Sequence, residues 1–358
     1  MRVILAGGGS GGPVAPLLAI AEAIKKNNLA TKFLFIGTKK GEPEKEMVQG
    51  CDFDFKQIFA GKLRRYLSWQ NLLDLFRLKL GFFQSLFILK KFQPDLIIGA
   101  GGYVSVPVVL AGWFLKIPTL IHQQDILPTL SNKILSFFAK KITVSFEPSL
   151  EDFPQNKTIF VGHPVRQFIF NSNKERAEKF FNLKKDLPVL VVLGGGTGAI
   201  SLNNLIWQNF DELTKFCQII HLTGRGKASF INNQVSTINY QGHEFLTKEI
   251  PDLFTVADVV ISRAGINVLA ELAVLGKPTI IIPIPDSHQE ANARYFQDKN
   301  GAIVLNQKEL TNETFLKVTK ELLNNKEKQN QLGENIKKIV LPNAVVKIIE
   351  QINEFRRN

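Results

Sequence analysis

Val3-Ile4-Leu5-Ala6-Gly7-Gly8-Gly9-Ser10-Gly11-Gly12 and, much later, Val189-Leu190-Val191-Val192-Leu193-Gly194-Gly195-Gly196-Thr197-Gly198-Ala199 say the same thing twice. Each is an apolar, β-branched run too short for a helix, and each empties into glycines that open a segment of helical period. That is a strand, a tight turn and a helix N-terminus, the start of a βα unit. Outward from both, short apolar runs alternate with helical segments, so the expected fold is α/β with parallel sheets buried on both faces. The expected strands are 3–6, 33–36, 54–59, 96–99, 119–121, 142–145 and 158–161, then 189–193, 218–222, 238–241, 259–262, 279–282 and 302–305. Proline breaks the pattern at Gly162-His163-Pro164. The expectation is therefore two Rossmann-like domains, 1–162 and 163–340, facing a central cleft that is the default active site. Residues 341–358 are expected to form a C-terminal helix that packs back on the first domain.

A chain of 358 residues with 45% hydrophobic and 21% charged content can bury two cores. Its net charge of +12 calls for an anionic partner: nucleic acid, a phosphate-bearing substrate or an acidic membrane surface. The aromatics fall in strands and apolar helices, not on a stacking platform, which argues against nucleic acid. Cys51 and Cys217 are far apart and outside any CxxC pair, which fits a reducing cytoplasm. The apolar stretch at Met1 to Ala6 is too short for a signal-peptide core. Residues 96–115 carry no charge, but Gly99, Gly101, Gly102 and Pro107 interrupt them, which fits a strand, a turn and a helix better than a membrane span. Asp52-Phe53-Asp54 reads as the opening of the third strand. His122, His163, His221, His243 and His288 have no ligand spacing, so no metal site is expected.

The first glycine loop satisfies G-x-G-x-x-G, yet the second strand ends Ile36-Gly37-Thr38-Lys39-Lys40, without the acid that binds a dinucleotide ribose. NAD and FAD are disfavoured, and no cofactor is expected. The second loop offers a helix N-terminus to a diphosphate. A third glycine turn is Gly99-Ala100-Gly101-Gly102-Tyr103. Arg263-Ala264-Gly265 follows a buried strand, and Glu271 lies one and a half turns into the next helix, where a carboxylate can accept from two ribose hydroxyls. Polar residues from Asp286 to Asn292 follow another strand at its carboxyl edge, where open α/β sheets bind ligands. Residues 62–92 mix Lys62, Arg64, Arg65, Arg77, Lys79, Lys90 and Lys91 with Leu63, Tyr66, Leu67, Trp69, Leu72, Leu73, Phe76, Leu80, Phe82, Phe83, Leu86 and Phe87. That exceeds one helix stripe and suits adsorption to an anionic membrane; the alternative is a buried helix with a basic rim.

In their order and spacing these segments resemble the MurG family of bacterial N-acetylglucosaminyltransferases nearly end to end. The resemblance rests on Gly8 to Gly12 with Pro16, Gly99 to Ser105, His122-Gln123-Gln124, Ser131-Asn132-Lys133, Gly162 to Arg166, Gly194 to Ala199, Arg263-Ala264-Gly265 with Glu271, and His288-Gln289 with Asn292-Ala293. It implies a GT-B fold and inverting transfer from UDP-N-acetylglucosamine to a lipid-linked muramyl-pentapeptide at the inner face of the cell membrane. It implies Arg166 and the Gly195, Gly196, Thr197 and Gly198 loop on the donor diphosphate, the backbone near Leu246 on uracil, Glu271 on the ribose, and His288 and Gln289 on the sugar. Ser10, Gly11, Gly12, Gly101, Gly102, Tyr103 and Asn132 would meet the acceptor. Three departures stand out. Pro13 replaces the family's loop histidine; His122-Gln123-Gln124-Asp125 replaces His-Glu-Gln-Asn; and Gly196 stands where serine is usual. With Pro13 unable to act, His122 and Asp125 are the titratable candidates for the base, an orienting hydrogen bond being the alternative role. The competing readings are another GT-B glycolipid glycosyltransferase, or a non-catalytic protein binding UDP-sugar or lipid diphosphate.

Overall fold

The computed structural model describes residues 1–27, 30–39, 41, 44–62, 69–195, 198–227 and 239–357. The chain forms two compact units, Met1–Arg166 with Leu341–Asn358, and Gln167–Val340. Each of the expected strands forms among the described residues, and neighbouring strands there pair in parallel.

The first unit holds β1 (Arg2–Ala6), β2 (Lys32–Thr38), β3 (Asp54–Ile58), β4 (Leu96–Gly99), β5 (Thr119–Gln123), β6 (Lys141–Val144) and β7 (Thr158–Phe160) in the order β3-β2-β1-β4-β5-β6-β7. β1 is central and buried past its first residue, as a continuous apolar run must be when helices cover both faces. On one face α1 (Val14–Lys26) places Val14, Leu17, Leu18, Ala21 and Ile24 on Val3, Leu5 and Phe35, and α14 (Ala344–Arg357) adds Ile348 and Ile352. On the other, α4 (Ser105–Phe114) and Leu89 of α3 (Trp69–Phe92) cover Ile4, Ile97 and Ile121.

α3 shows two apolar stripes. Phe82, Leu86 and Leu89 pack inward, while Trp69, Leu72, Leu73, Phe76, Leu80, Phe83 and Phe87, at i, i+3, i+4, i+7 spacing, are 53–87% exposed. Leu63, Arg64, Arg65, Tyr66 and Leu67 lie outside the described residues. Asp52 and Asp54 are exposed where β3 begins, and Asp52 pairs with Lys25 at 3.4 Å.

The second unit repeats the scheme with β8 (Val189–Leu193), β9 (Gln218–Leu222), β10 (Tyr240–His243), β11 (Val259–Ser262), β12 (Thr279–Ile281) and β13 (Ile303–Val304), in the order β10-β9-β8-β11-β12-β13. Ile238, where the tenth strand was expected to start, is outside the described residues. The core joins Leu190, Val192, Ile261 and Ile280 to Leu202 and Ile206 of α7 (Ile200–Gln208) and to Phe315. α10 (Ile266–Leu275) ends at Gly276 with φ of 65°, the left-handed residue that closes a helix at little cost.

Candidate active site

In each sheet the strand order reverses once: between β1 and β4 in the first unit, between β8 and β11 in the second. At such a point the loops leaving the two carboxyl ends turn to opposite sides and open a crevice. The glycine turns of the sequence lie at these two places.

At the β1/β4 crevice, three loops meet. Gly102 has φ of 75°, and a Cβ there would lie 2.3 Å from the Gly8 carbonyl oxygen, so the β4 turn reaches the β1 turn only because it has no side chain. The Tyr103 ring lies over Gly9. The β5 loop supplies Gln124 beside Gly12 and Asn132 beside Gly101. Asn132, wholly buried, donates from Nδ2 to the His122 carbonyl at 3.1 Å and to Gln123 Oε1 at 2.8 Å. Ser10, Gly11 and Gly12 keep solvent exposure before α1, whose N-cap position is Pro13. Ser10, Gly11, Gly12, Gly101, Gly102, Tyr103 and Asn132 thus gather at one rim.

His122 sits deeper. Its ring is fully buried between Thr143 Oγ1, 3.0 Å from Nδ1, and Ser145 Oγ, 3.0 Å from Nε2; Ser145 Oγ also lies 3.0 Å from His163 Nδ1. Burial, helped by neighbouring His163, pushes the His122 pKa down to about 3. Thr143 donates to the Ile121 carbonyl, which leaves Nδ1 of His122 as donor and Nε2 as acceptor of the Ser145 hydroxyl. A neutral ring with both nitrogens engaged orients the strand ends. Asp125 lies on the β5 loop, largely buried, its main-chain carbonyl accepting from Gln123 Nε2 at 2.8 Å. Arg166 belongs to this unit, where its Nε donates to Glu22 at 2.8 Å.

One group here was missed by the sequence. Glu44 opens α2 (Glu44–Gln49), is wholly buried, and its Oε1 accepts from the Gly9 N–H at 2.6 Å and from the Thr38 hydroxyl at 3.1 Å. Burial, with Glu44 and Asp74 nearby, raises the Tyr103 pKa and keeps the phenol a donor.

At the β8/β11 crevice, a pocket of about 300 Å³ is lined by Gly194, Gly195, Gly198, Ser201, Arg263, Gly265, Gln289 and Gln307 among others. Gly198 has φ of 68°, and a Cβ there would lie 2.1 Å from the Thr223 carbonyl oxygen. Gly196 and Thr197 lie outside the described residues. α7 and α10 begin at Ala199 and Gly265 without side-chain caps, so main-chain amides end at the pocket. Arg263 stands behind them, 4% exposed. Its Nη1 donates to the Ile282 and Pro283 carbonyls at 2.7 and 3.2 Å, its Nη2 to the Ser201 hydroxyl, and its Nε has no partner among the described residues. No carboxylate among the described residues joins these contacts, so a buried positive charge backs the pocket, though burial pulls the Arg263 pKa down.

Of the other expected donor residues, Gln289 lines the pocket and accepts from the Ile284 amide at 3.2 Å. His288 is exposed at the start of α11 (His288–Asp298), and Asn292 ties that helix to the β11 loop by donating to the Ala264 carbonyl at 3.1 Å. Glu271 is half-buried on α10, and Leu246 is buried just past β10. Ser201 and Gln307 were not anticipated; they come from a helix face and a distant loop with no motif of their own.

Residues 3–144 match the glycosyltransferase family 28 N-terminal domain and residues 189–352 its C-terminal domain. A Clostridium botulinum protein named UDP-N-acetylglucosamine--N-acetylmuramyl-(pentapeptide) pyrophosphoryl-undecaprenol N-acetylglucosamine transferase is 38% identical, covering 91% of this chain and 90% of its own. A protein of the same name numbered 3, from Bacillus thuringiensis, is 35% identical over 99% of both chains. Among solved structures, Acinetobacter baumannii MurG superposes with a TM-score of 0.73 at 23% identity, over 99% of both chains. The UDP-GlcNAc 2-epimerase of Neisseria meningitidis, bound to UDP-GlcNAc, gives 0.71 at 14% identity, covering 99% of this chain and all of that one. These likenesses establish the GT-B arrangement of two Rossmann-like domains.

Proposed function

The chain belongs to glycosyltransferase family 28, and from that premise we propose that it moves N-acetylglucosamine from UDP-N-acetylglucosamine to undecaprenyl-pyrophosphoryl-N-acetylmuramyl-(pentapeptide), making the lipid-linked disaccharide of peptidoglycan synthesis. The observation that carries the donor half is Arg263, a buried guanidinium with no carboxylate partner among its contacts, behind two uncapped helix starts. A diphosphate at Gly195 and Gly198 accepts from those amides and meets the positive potential of the helix ends and of Arg263. Glu271 accepts from the ribose hydroxyls, the main chain near Leu246 holds uracil, and His288 and Gln289 hold the sugar.

The acceptor meets the rim of Ser10 to Gly12, Gly101 to Tyr103 and Asn132. Its 4-hydroxyl attacks the anomeric carbon of the α-linked donor in line with the departing UDP, giving a β-linkage. Asp125, on the loop that carries Gln124 to the rim, takes the hydroxyl proton; His122, neutral and locked, keeps that loop in place. The test is incubation with radiolabelled UDP-N-acetylglucosamine and the lipid-linked muramyl-pentapeptide, with Asp125→Asn alongside. Labelled lipid disaccharide from the wild type is expected, and none would refute the reading. A fully active Asp125→Asn would refute the base assignment.

No described helix is long and apolar enough to cross a membrane. The exposed stripe of α3, continued by Trp113, Phe114 and Phe137, is the surface that lies on anionic lipid, with Lys79, Lys90 and Lys91 on the same helix facing headgroups. The acceptor's undecaprenyl tail requires such an approach. Vesicle co-sedimentation tests it: binding should need anionic lipid and fall with salt, and binding indifferent to both would contradict it.

A further inference from the structure

We infer that Glu44 is a positioning residue for acceptor binding: it pins the Gly9 amide, so that the rim from Ser10 to Gly12 is presented and the Gly9 amide is withheld from any phosphate. This rests on the reading of that rim as the acceptor site. A glycine turn between a strand and a helix ordinarily offers its amides to a phosphate, and an acid at the end of the next strand binds a ribose. Here one acid does neither. Glu44 reaches in from α2 and takes the Gly9 N–H itself at 2.6 Å, anchored by the Thr38 hydroxyl at the end of β2. The Tyr103 ring lies against the same glycine, since a Cβ on Gly9 would come within 2.4 Å of it. The Gly9 amide is therefore taken by Glu44 with Tyr103 alongside, although Gly9 and Ser10 are exposed and Gly11 and Gly12 are partly so.

Only Oε1 of Glu44 makes contacts; Oε2 has no partner among the described residues. A glutamine can place its carbonyl oxygen where Oε1 sits and accept both bonds, whereas alanine frees the loop. Steady-state kinetics on E44A and E44Q, varying donor and acceptor in turn, separate the roles. E44A should raise the acceptor KM by about tenfold or more, the usual scale for losing a buried hydrogen bond. The donor KM should stay within about twofold, and E44Q should recover most of the loss. Hydrogen exchange over residues 7–14 should speed up in E44A and return toward wild type in E44Q. Equal changes in donor and acceptor KM, an unrecovered E44Q, or unchanged exchange in E44A would overturn the inference. If the wild type transferred nothing to the lipid acceptor, the functional reading would fail instead, and the exchange data would still decide what Glu44 does to the loop.

Discussion

At the β1/β4 crevice the buried group that holds the glycine turn is the carboxyl of Glu44; at the β8/β11 crevice a buried guanidinium, Arg263, stands behind the pocket. The unpartnered buried atoms follow the same division. Around the first turn, among the described residues, they are acceptors, Glu44 Oε2, Gln124 Oε1 and Asn132 Oδ1; behind the second pocket it is a donor, Arg263 Nε. Two turns of nearly the same sequence, at equivalent places in equivalent sheets, are thus backed differently: a carboxyl group holds one loop amide in the first, and a guanidinium stands behind the second. The fold fixes where a ligand lies, and the buried side chains behind each turn set which loop amides are left for it.

The largest expected effect breaks the comparison on its positive side. Arg263→Ala removes a buried charged donor set from behind the pocket and should lower kcat/KM for the donor by about a hundredfold or more. Wild-type kinetics in that variant would remove Arg263 from the donor site. Next, Gly102→Ala and Gly198→Ala drive a Cβ into main-chain carbonyls at 2.3 and 2.1 Å, and each should cost about 2–4 kcal/mol of stability in its own unit. Hydrogen exchange, read unit by unit, should show each loss confined to the unit that carries the substitution.

Acid sharpens the contrast further, because each unit buries a neutral histidine. The His122 pKa falls from 6.5 to about 3, and that of His221, held between Tyr240 and Asn203, to about 4. Both folded values are depressed, so the unfolded chain binds more protons as pH falls below 6.5. Stability is full above that pH and declines toward pH 3 in the first unit and pH 4 in the second, by at most about 1.4 kcal/mol per pH unit for each group. His122→Gln should flatten the decline in the first unit alone, as measured by denaturant midpoints across pH. The smallest effect is on the surface: Phe76→Ser with Phe83→Ser should weaken vesicle binding severalfold while leaving donor affinity unchanged.

The strands were legible because parallel strands buried on both faces read as unbroken apolar runs, as Val189 to Leu193 and Leu96 to Gly99 do. The glycine turns were legible for the same local reason. Glu44 was not, because the sequence places the acid six residues beyond the end of β2, and only the fold of α2 returns it to Gly9. No acid stands at the strand end itself; one arrives from the side and faces the loop. Arg263 was visible as part of a motif, but its lack of a carboxylate partner, which gives it meaning, is a property of packing. His122 was legible as a polar residue at a strand end, yet its engagement by Thr143 and Ser145 depends on pairing between β5 and β6.

The central claim is that the second crevice, not the first, receives the anionic donor. Calorimetric titration of UDP-N-acetylglucosamine into the full chain and into its Arg263→Gln and Glu44→Ala variants tests it most directly. The account predicts a loss of affinity of about tenfold or more in Arg263→Gln and no more than about a twofold change in Glu44→Ala. Unchanged affinity in Arg263→Gln, or a larger loss in Glu44→Ala, would contradict it.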